Sequence, residues 1–236
     1  MEEAGIFETI RVENGKAVLI SYHYERLRKS ALELKIPFNL SEEKFENLLL
    51  EKANYSKEPV LVKFKLTFSG EVFTKIRKCI KREEVSLLPL SFPKRSYDSL
   101  SKHKTTDIAK SLFALETAKF KGFDEALLFS QHNFISETAF ANVFFVKNGI
   151  FFTPSLETGC LPGTRRRLII ETLKEFNIKV IEGFFRLKDI LSADEVFITS
   201  AREDLVRVRK IGNTEFKKTG ISWSERIKNA IKFKIT

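Results

Sequence analysis

Residues 135–175 read ISETAFANVFFVKNGIFFTPSLETGCLPGTRRRLIIETLKE, and the change of pattern inside this stretch decides the fold class. Its first half is apolar and aromatic, with FANVFFV and IFFTP joined by Asn148-Gly149, a pair that tolerates the positive φ angles of a two-residue hairpin. Its second half passes through the loop LPG and enters LIIETL at helical spacing. A strand hairpin running into a helix calls for a mixed α and β architecture. Further on, KVIEGFF reads as a strand, LKDILSAD as a short helix, EVFITS as a strand and SERIKNAIK as a closing helix. Before it, EALLFS reads as a strand, preceded by a helix whose stripe is Ile108, Leu112 and Leu115 and which Gly122 ends.

The first third repeats the mixture. IFETIRV and AVLISY flank the turn Asn14-Gly15 and predict a hairpin. A helix follows from Tyr24, with Leu27, Ala31 and Leu34 on one face, and a second begins after Ser41, whose neighbours Glu42 and Glu43 suit a first turn. Val60, Val62, Phe64, Leu66 and Phe68 alternate with their neighbours, and strands near VFTKIRKCI and VSLLPL come after Ser69-Gly70. The segment SFPKRSYDSLSKHK has no periodicity and marks a junction. The sequence therefore predicts a two-domain α+β chain: a small N-terminal α/β sandwich over 1–93, a linker over 94–103, and a larger β-rich domain with helices over 104–236.

A chain of 236 residues with 43% hydrophobic and 31% charged side chains can bury a sizeable core, which excludes a disordered tail or a collagen-like rod. The formal charge of +10 is spread among acids, as in ERLRKSALELK, so it reads as solvated helix faces that favour small anions and not as a nucleic-acid surface. Two separated cysteines, Cys79 and Cys160, and the single histidines His23, His103 and His132 predict no metal site. No apolar run reaches the roughly 18 residues that span a bilayer, and MEEAGIFETI lacks the order of a secretory signal. A cytoplasmic chain with no membrane partner is expected.

Five places could carry chemistry. Gly163 opens a helix, so the amides of Thr164 and Arg165 project from the positive end of its dipole and suit an oxyanion; a plain helix start is the alternative. Arg26 lies three residues after His23 and could turn a guanidinium inward, although most helical arginines are solvated. Thr199 and Ser200 end a strand where hydroxyls often meet ligands. Lys104 in SKHKTTDIAK opens the next helix, where an electropositive, desolvated place would make its amine a nucleophile. Glu137 is either a surface group or a buried anion awaiting a cation.

Taken together, six blocks in order resemble the fold-type IV pyridoxal-phosphate enzymes, the class IV aminotransferase-like family: GIFETIRVENG, HYERLRKSALEL, HKTTDIAKSLFALETAKFKGFDEALLF, ISETAFANVFFVKNG, GCLPGTRRRLIIE and ADEVFITSA. The resemblance implies that Lys104 bonds covalently to pyridoxal 5'-phosphate and then shuttles protons, and that Glu137 pairs with the pyridine nitrogen. It implies a phosphate site made by Arg26, Gly163, Thr164, Arg165, Thr199 and Ser200, and a homodimer. Three departures stand out. Arg165 occupies the place of the usual loop threonine, Asp107 that of an asparagine, and the SGEVF turn that of a longer loop; the N-terminal strand that usually precedes FETIRV is also expected to be lacking. Thr9 and the compact chain resemble the lyase branch. The resemblance implies a 4-amino-4-deoxychorismate lyase of folate biosynthesis acting on a small anionic amine, with an aminotransferase for branched-chain or D-amino acids as the alternative.

Overall fold

The computed structural model describes residues 3–94, 99–217, 220 and 222–235. The chain divides into two compact units. The first holds residues up to Lys81 together with His103–Asp107, and the second holds Arg82–Lys102 and Ile108–Lys234.

In the first unit, β1 (Gly5–Glu13), β2 (Lys16–Ala17), β3 (Val60–Thr67) and β4 (Val72–Lys78) form an antiparallel sheet in the order β2-β1-β3-β4. Two helices, α1 (Ile20–Glu33) and α2 (Glu42–Lys52), follow β2. Ser41 accepts the Lys44 N–H and caps α2. The expected strand AVLISY stops at Ala17, because Leu19 takes a left-handed conformation (φ 55°) and α1 starts at Ile20.

Alternation along β1 and β3 gives the sheet two faces. Ile6, Ile10, Val12, Val62, Phe64 and Leu66 share a core with Leu27, Ala31, Phe45 and Leu49 of the helices. Gly5, Phe7, Thr9 and Arg11 point the other way. Phe45 meets Phe64 edge-on with ring centroids 4.8 Å apart, the geometry aromatic quadrupoles favour.

The second unit is built on a mixed sheet of nine strands among the described residues, in the order β10-β9-β8-β11-β12-β5-β6-β7 with β13 beside β12. In chain order these are β5 (Glu84–Lys94), β6 (Glu125–Ser130), β7 (Ile135–Thr138), β8 (Asn142–Lys147), β9 (Ile150–Pro154), β10 (Val180–Gly183), β11 (Glu195–Ser200), β12 (Asp204–Ile211) and β13 (Thr214–Glu215). The helices are α3 (Ala109–Phe120), α4 (Thr164–Glu175), α5 (Leu187–Leu191) and α6 (Trp223–Ile235). Val85, Leu87, Leu127, Val143, Phe145, Val196, Ile198 and Val206 form its core. Every residue of β6 is buried, as suits a strand covered on both faces.

Two expected boundaries move. The strand near VSLLPL, assigned by sequence to the N-terminal domain, is β5, which pairs in parallel with β12 and β6 and buries Val85 and Leu87 in the second core. The domain break at 94–103 is therefore displaced to near Arg82, and residues 95–98 of that linker lie outside the described residues. Lys104 does not open α3, which begins at Ala109. It lies in an extended segment bound to β1, with Phe7 N–H donating to the Lys104 carbonyl at 2.8 Å and Thr106 N–H to the Gly5 carbonyl at 2.8 Å. The strand β12 had no counterpart in the sequence reading.

Truncating Phe64 to alanine should lower the unfolding free energy by about 3 to 5 kcal/mol, the cost of emptying an aromatic site in a packed core. Urea denaturation followed by far-UV circular dichroism measures this, and a loss below about 1 kcal/mol would show that the two helices do not depend on that contact.

Candidate active site

In the first unit, the segment carrying Lys104 is fixed by its backbone bonds to β1. This sets the Lys104 Nζ 4.6 Å from the centroid of the Phe7 ring, and Lys63 Nζ lies 4.4 Å from the same centroid. Thr9 is two residues further along the same face of β1, opposite Lys63 in the register with β3. An amine, an aromatic ring and a hydroxyl are thus gathered on the sheet face turned away from α1 and α2.

The other face holds a buried ion cluster. Arg26 on α1 donates from Nε to Glu8 Oε1 at 2.7 Å and from Nη2 to Glu8 Oε2 at 2.6 Å, a two-pronged pairing. His23 Nδ1 stands 2.7 Å from Glu8 Oε2. Burial alone would push the Glu8 carboxyl up, but the Arg26 charge and the hydrogen bonds from His23 and Arg26 outweigh it and bring the pKa from 4.5 down to about 2. His23 is therefore a buried partner of Glu8, and Arg26 turns inward as the sequence allowed. Glu8, which engages two of the guanidinium nitrogens, was not singled out from sequence; its place three strand residues behind Arg11 carries no periodic signal of an ion pair.

In the second unit, Glu137 on β7 is buried, 6% exposed. Its Oε2 accepts the Leu161 N–H at 3.0 Å and faces Asn142 Nδ2 at 3.5 Å, while the same Nδ2 donates to the Leu161 carbonyl at 2.9 Å. Gly163 completes this knot. A Cβ built on it would stand 2.0 Å from Asn142 Oδ1, so a larger residue there would push the asparagine out of its contacts with Glu137 and Leu161. Glu137 is thus a buried carboxyl and not a surface group, and Asn142 is the neighbour the sequence reading missed.

The loop then enters α4 with Gly163 as its N-cap, and no side chain caps that end. Thr164, Arg165 and Arg166 in the first turn are all buried. Arg165 Nη2 lies 2.6 Å from Asp204 Oδ1, and Arg166 Nη2 donates to the Pro154 carbonyl at 2.8 Å and to Glu182 at 2.7 Å. Thr199 at the end of β11 donates to the Asp204 carbonyl, and Ser200 pairs with Asp204 where β11 meets β12. Gly163, Thr164, Arg165, Thr199 and Ser200 are thereby brought into one neighbourhood. At the turn between β11 and β12, Arg82 forms a fork with Glu203 and comes within 4.0 Å of Glu125. Burial pushes Glu125 up to about 7 against the pull of the Ala126 N–H and Arg82. Among the described residues no group of His, Cys, Asp and Glu could hold a metal ion, and no helix is long and apolar enough to cross a membrane.

A family model described as amino-transferase class IV matches residues 5–211. The chain belongs to the amino-transferase class IV family. Members of this family are pyridoxal-phosphate enzymes. Aminodeoxychorismate lyase of Bacillus subtilis is 25% identical over 231 residues, covering 90% of this chain and 79% of that protein. A protein of Methanocaldococcus jannaschii, provisionally named a branched-chain-amino-acid aminotransferase, is 29% identical over 225 residues, covering 88% and 78%. A solved structure from Legionella pneumophila, provisionally named a 4-amino-4-deoxychorismate lyase, superposes with a TM-score of 0.88 at 27% identity over 97% of this chain and 89% of that one. The class IV fold of this chain is thus that of the fold-type IV enzymes, shared by members of both names.

The Glu8 carboxyl has its folded pKa below its unfolded one, so it contributes stability that is complete above about pH 4.5 and is lost as pH falls towards 2. Wild type should exceed Glu8→Gln in unfolding free energy by about 3 kcal/mol at pH 7, a gap that narrows below pH 4. Denaturation at a series of pH values measures it; a gap independent of pH would contradict the ion cluster.

Proposed function

We propose that this chain binds pyridoxal 5'-phosphate and acts as a 4-amino-4-deoxychorismate lyase, releasing 4-aminobenzoate and pyruvate. The observation that carries the reading is the Lys104 amine over the Phe7 ring with the Thr9 hydroxyl next on the same strand face. The second unit offers what the cofactor requires. Glu137 is a buried carboxylate already oriented by the Leu161 amide and Asn142, and the glycine at 163 leaves the loop without a side chain at the start of α4. These residues fit a cationic ring nitrogen and a phosphate.

On this reading, pyridoxal phosphate when bound supplies an electron-withdrawing ring that acidifies the carbon bearing the substrate's nitrogen. Glu137 holds the proton on the ring nitrogen. The amides of Thr164 and Arg165, the Arg165 guanidinium and the Ser200 hydroxyl would hold the phosphate. The Thr199 hydroxyl, whose proton goes to the Asp204 carbonyl, fixes the end of β11 beside it, while the Arg26 fork is taken up by Glu8 in the first unit. Lys104 Nζ takes the proton from the substrate carbon. The carbon–oxygen bond to the enolpyruvyl group then breaks, the ring becomes aromatic, and the proton taken by Lys104 balances the departing pyruvate. Thr9, next on the same strand face, would hydrogen-bond the substrate beside Lys104. No amino acceptor enters, so the balance closes with one substrate.

An aminotransferase is the second reading, favoured by the similarity to the Methanocaldococcus jannaschii protein. There Lys104 would return the proton, and an oxo acid would be needed to accept the amino group. A homodimer in the cytoplasm completes the proposal in either case.

Two experiments test it. The protein incubated with pyridoxal phosphate should develop a yellow band near the imine region that borohydride fixes onto Lys104, and Lys104→Ala should lose it; an unchanged band in the variant would reject the assignment of the lysine. Supplied with aminodeoxychorismate and no oxo acid, the holoenzyme should form 4-aminobenzoate. Glutamate formed from 2-oxoglutarate and amino acids, with no 4-aminobenzoate, would select the aminotransferase.

A further inference from the structure

Arg165 stands where an arginine is hard to keep. It is in the first turn of α4, at the positive end of the helix dipole, and it is 2% exposed. A guanidinium so placed needs a carboxylate to offset both burial and dipole. Asp204 provides it at 2.6 Å from Nη2.

Asp204 is itself unusual. Its φ is 58°, a left-handed conformation that side chains other than those of asparagine and aspartate rarely adopt, and it is 6% exposed. It begins β12 directly after the turn from β11, and that turn is anchored from below by the Arg82 fork onto Glu203. The left-handed backbone lets one residue do two things. Its carboxylate reaches Arg165 on α4, and its carbonyl accepts the Thr199 hydroxyl at the end of β11.

We infer that Asp204 is a positioning residue of the phosphate site, locking the start of α4 to the end of β11 so that the Arg165 guanidinium and the first amides of α4 present to one phosphate group. The inference rests on the pyridoxal-phosphate reading for the identity of the ligand, but the chemistry it concerns is phosphate recognition. Asp204 does not touch the ligand; it acts through Arg165. The competing role is opposite in sign. If Asp204 merely cancelled the Arg165 charge, removing its carboxylate would strengthen phosphate binding, because a nearby anion would be gone.

The test is a titration of wild type and Asp204→Asn with three probes: pyridoxal 5'-phosphate, pyridoxal, and inorganic phosphate alone, the last read by thermal shift. Asparagine suits the left-handed backbone and keeps a side-chain oxygen, so the variant is expected to fold; Asp204→Gly, which also accepts that φ, serves in its place if it does not. Pyridoxal 5'-phosphate and inorganic phosphate should each bind roughly tenfold more weakly, and pyridoxal within about twofold of wild type. Arg165→Met should show the same selective loss, and the double variant no further loss, since the two side chains act as one unit. Unchanged or tighter phosphate binding, or an equal loss for pyridoxal, overturns the inference. A wild type that forms no imine with either vitamer overturns the cofactor reading instead, and the inorganic phosphate arm then decides for or against Asp204 alone.

Discussion

A carboxylate taken out of water must find donors or lose its charge. Glu137 is the place in the second unit where that requirement organises the chain. Its oxygen takes the Leu161 amide and faces Asn142, and Asn142 in turn binds the Leu161 carbonyl. The loop is thereby held so close that a Cβ at position 163 would displace the Asn142 side chain. Since Gly163 is also the N-cap of α4, the direction of that helix and the placement of its first amides follow from how one buried acid is satisfied. The proposed ring-nitrogen partner and the proposed phosphate loop are therefore two ends of a single hydrogen-bonded arrangement.

The first unit solves a related problem with the opposite charge. The Arg26 guanidinium enters a mostly apolar helix face because Glu8 meets it there, and His23 fills the remaining side of the same carboxylate. Lys104 is held by main-chain bonds to β1 and not by a helix end. A lysine on a strand-like segment, fixed at its carbonyl, has its amine placed by the neighbouring ring of Phe7. Positioning through backbone pairing is well suited to a group that must move protons, because the side chain keeps its own rotamers while its root stays fixed.

Much of this was legible in the residues. Alternation in Val60–Phe68, the Asn148-Gly149 turn and the Ser41 cap are local signals, and each falls where the local physics puts it. The blocks around Lys104, Glu137 and Gly163 pointed to one family because their order is specific even where each alone is weak. The errors came from distance. VSLLPL carries the same strand signal in either sheet, and only its pairing with β6 and β12, far along the chain, assigns it to the second unit. Lys104 sits close to a helix in sequence, yet its carbonyl accepts from Phe7, far back along the chain on β1. Glu8, Asn142 and Asp204 were missed for the same reason: each is an ordinary polar residue until the fold sets another polar group beside it.

The central claim is that Glu137 keeps a proton on the pyridine nitrogen of a bound cofactor. Nitrogen-15 NMR of the protein loaded with ring-labelled pyridoxal phosphate reports that proton directly. The account predicts a protonated ring nitrogen in wild type across neutral pH and an unprotonated one in Glu137→Gln, with the imine retained in both. A ring nitrogen that is unprotonated in wild type, or equally protonated in the variant, would contradict it.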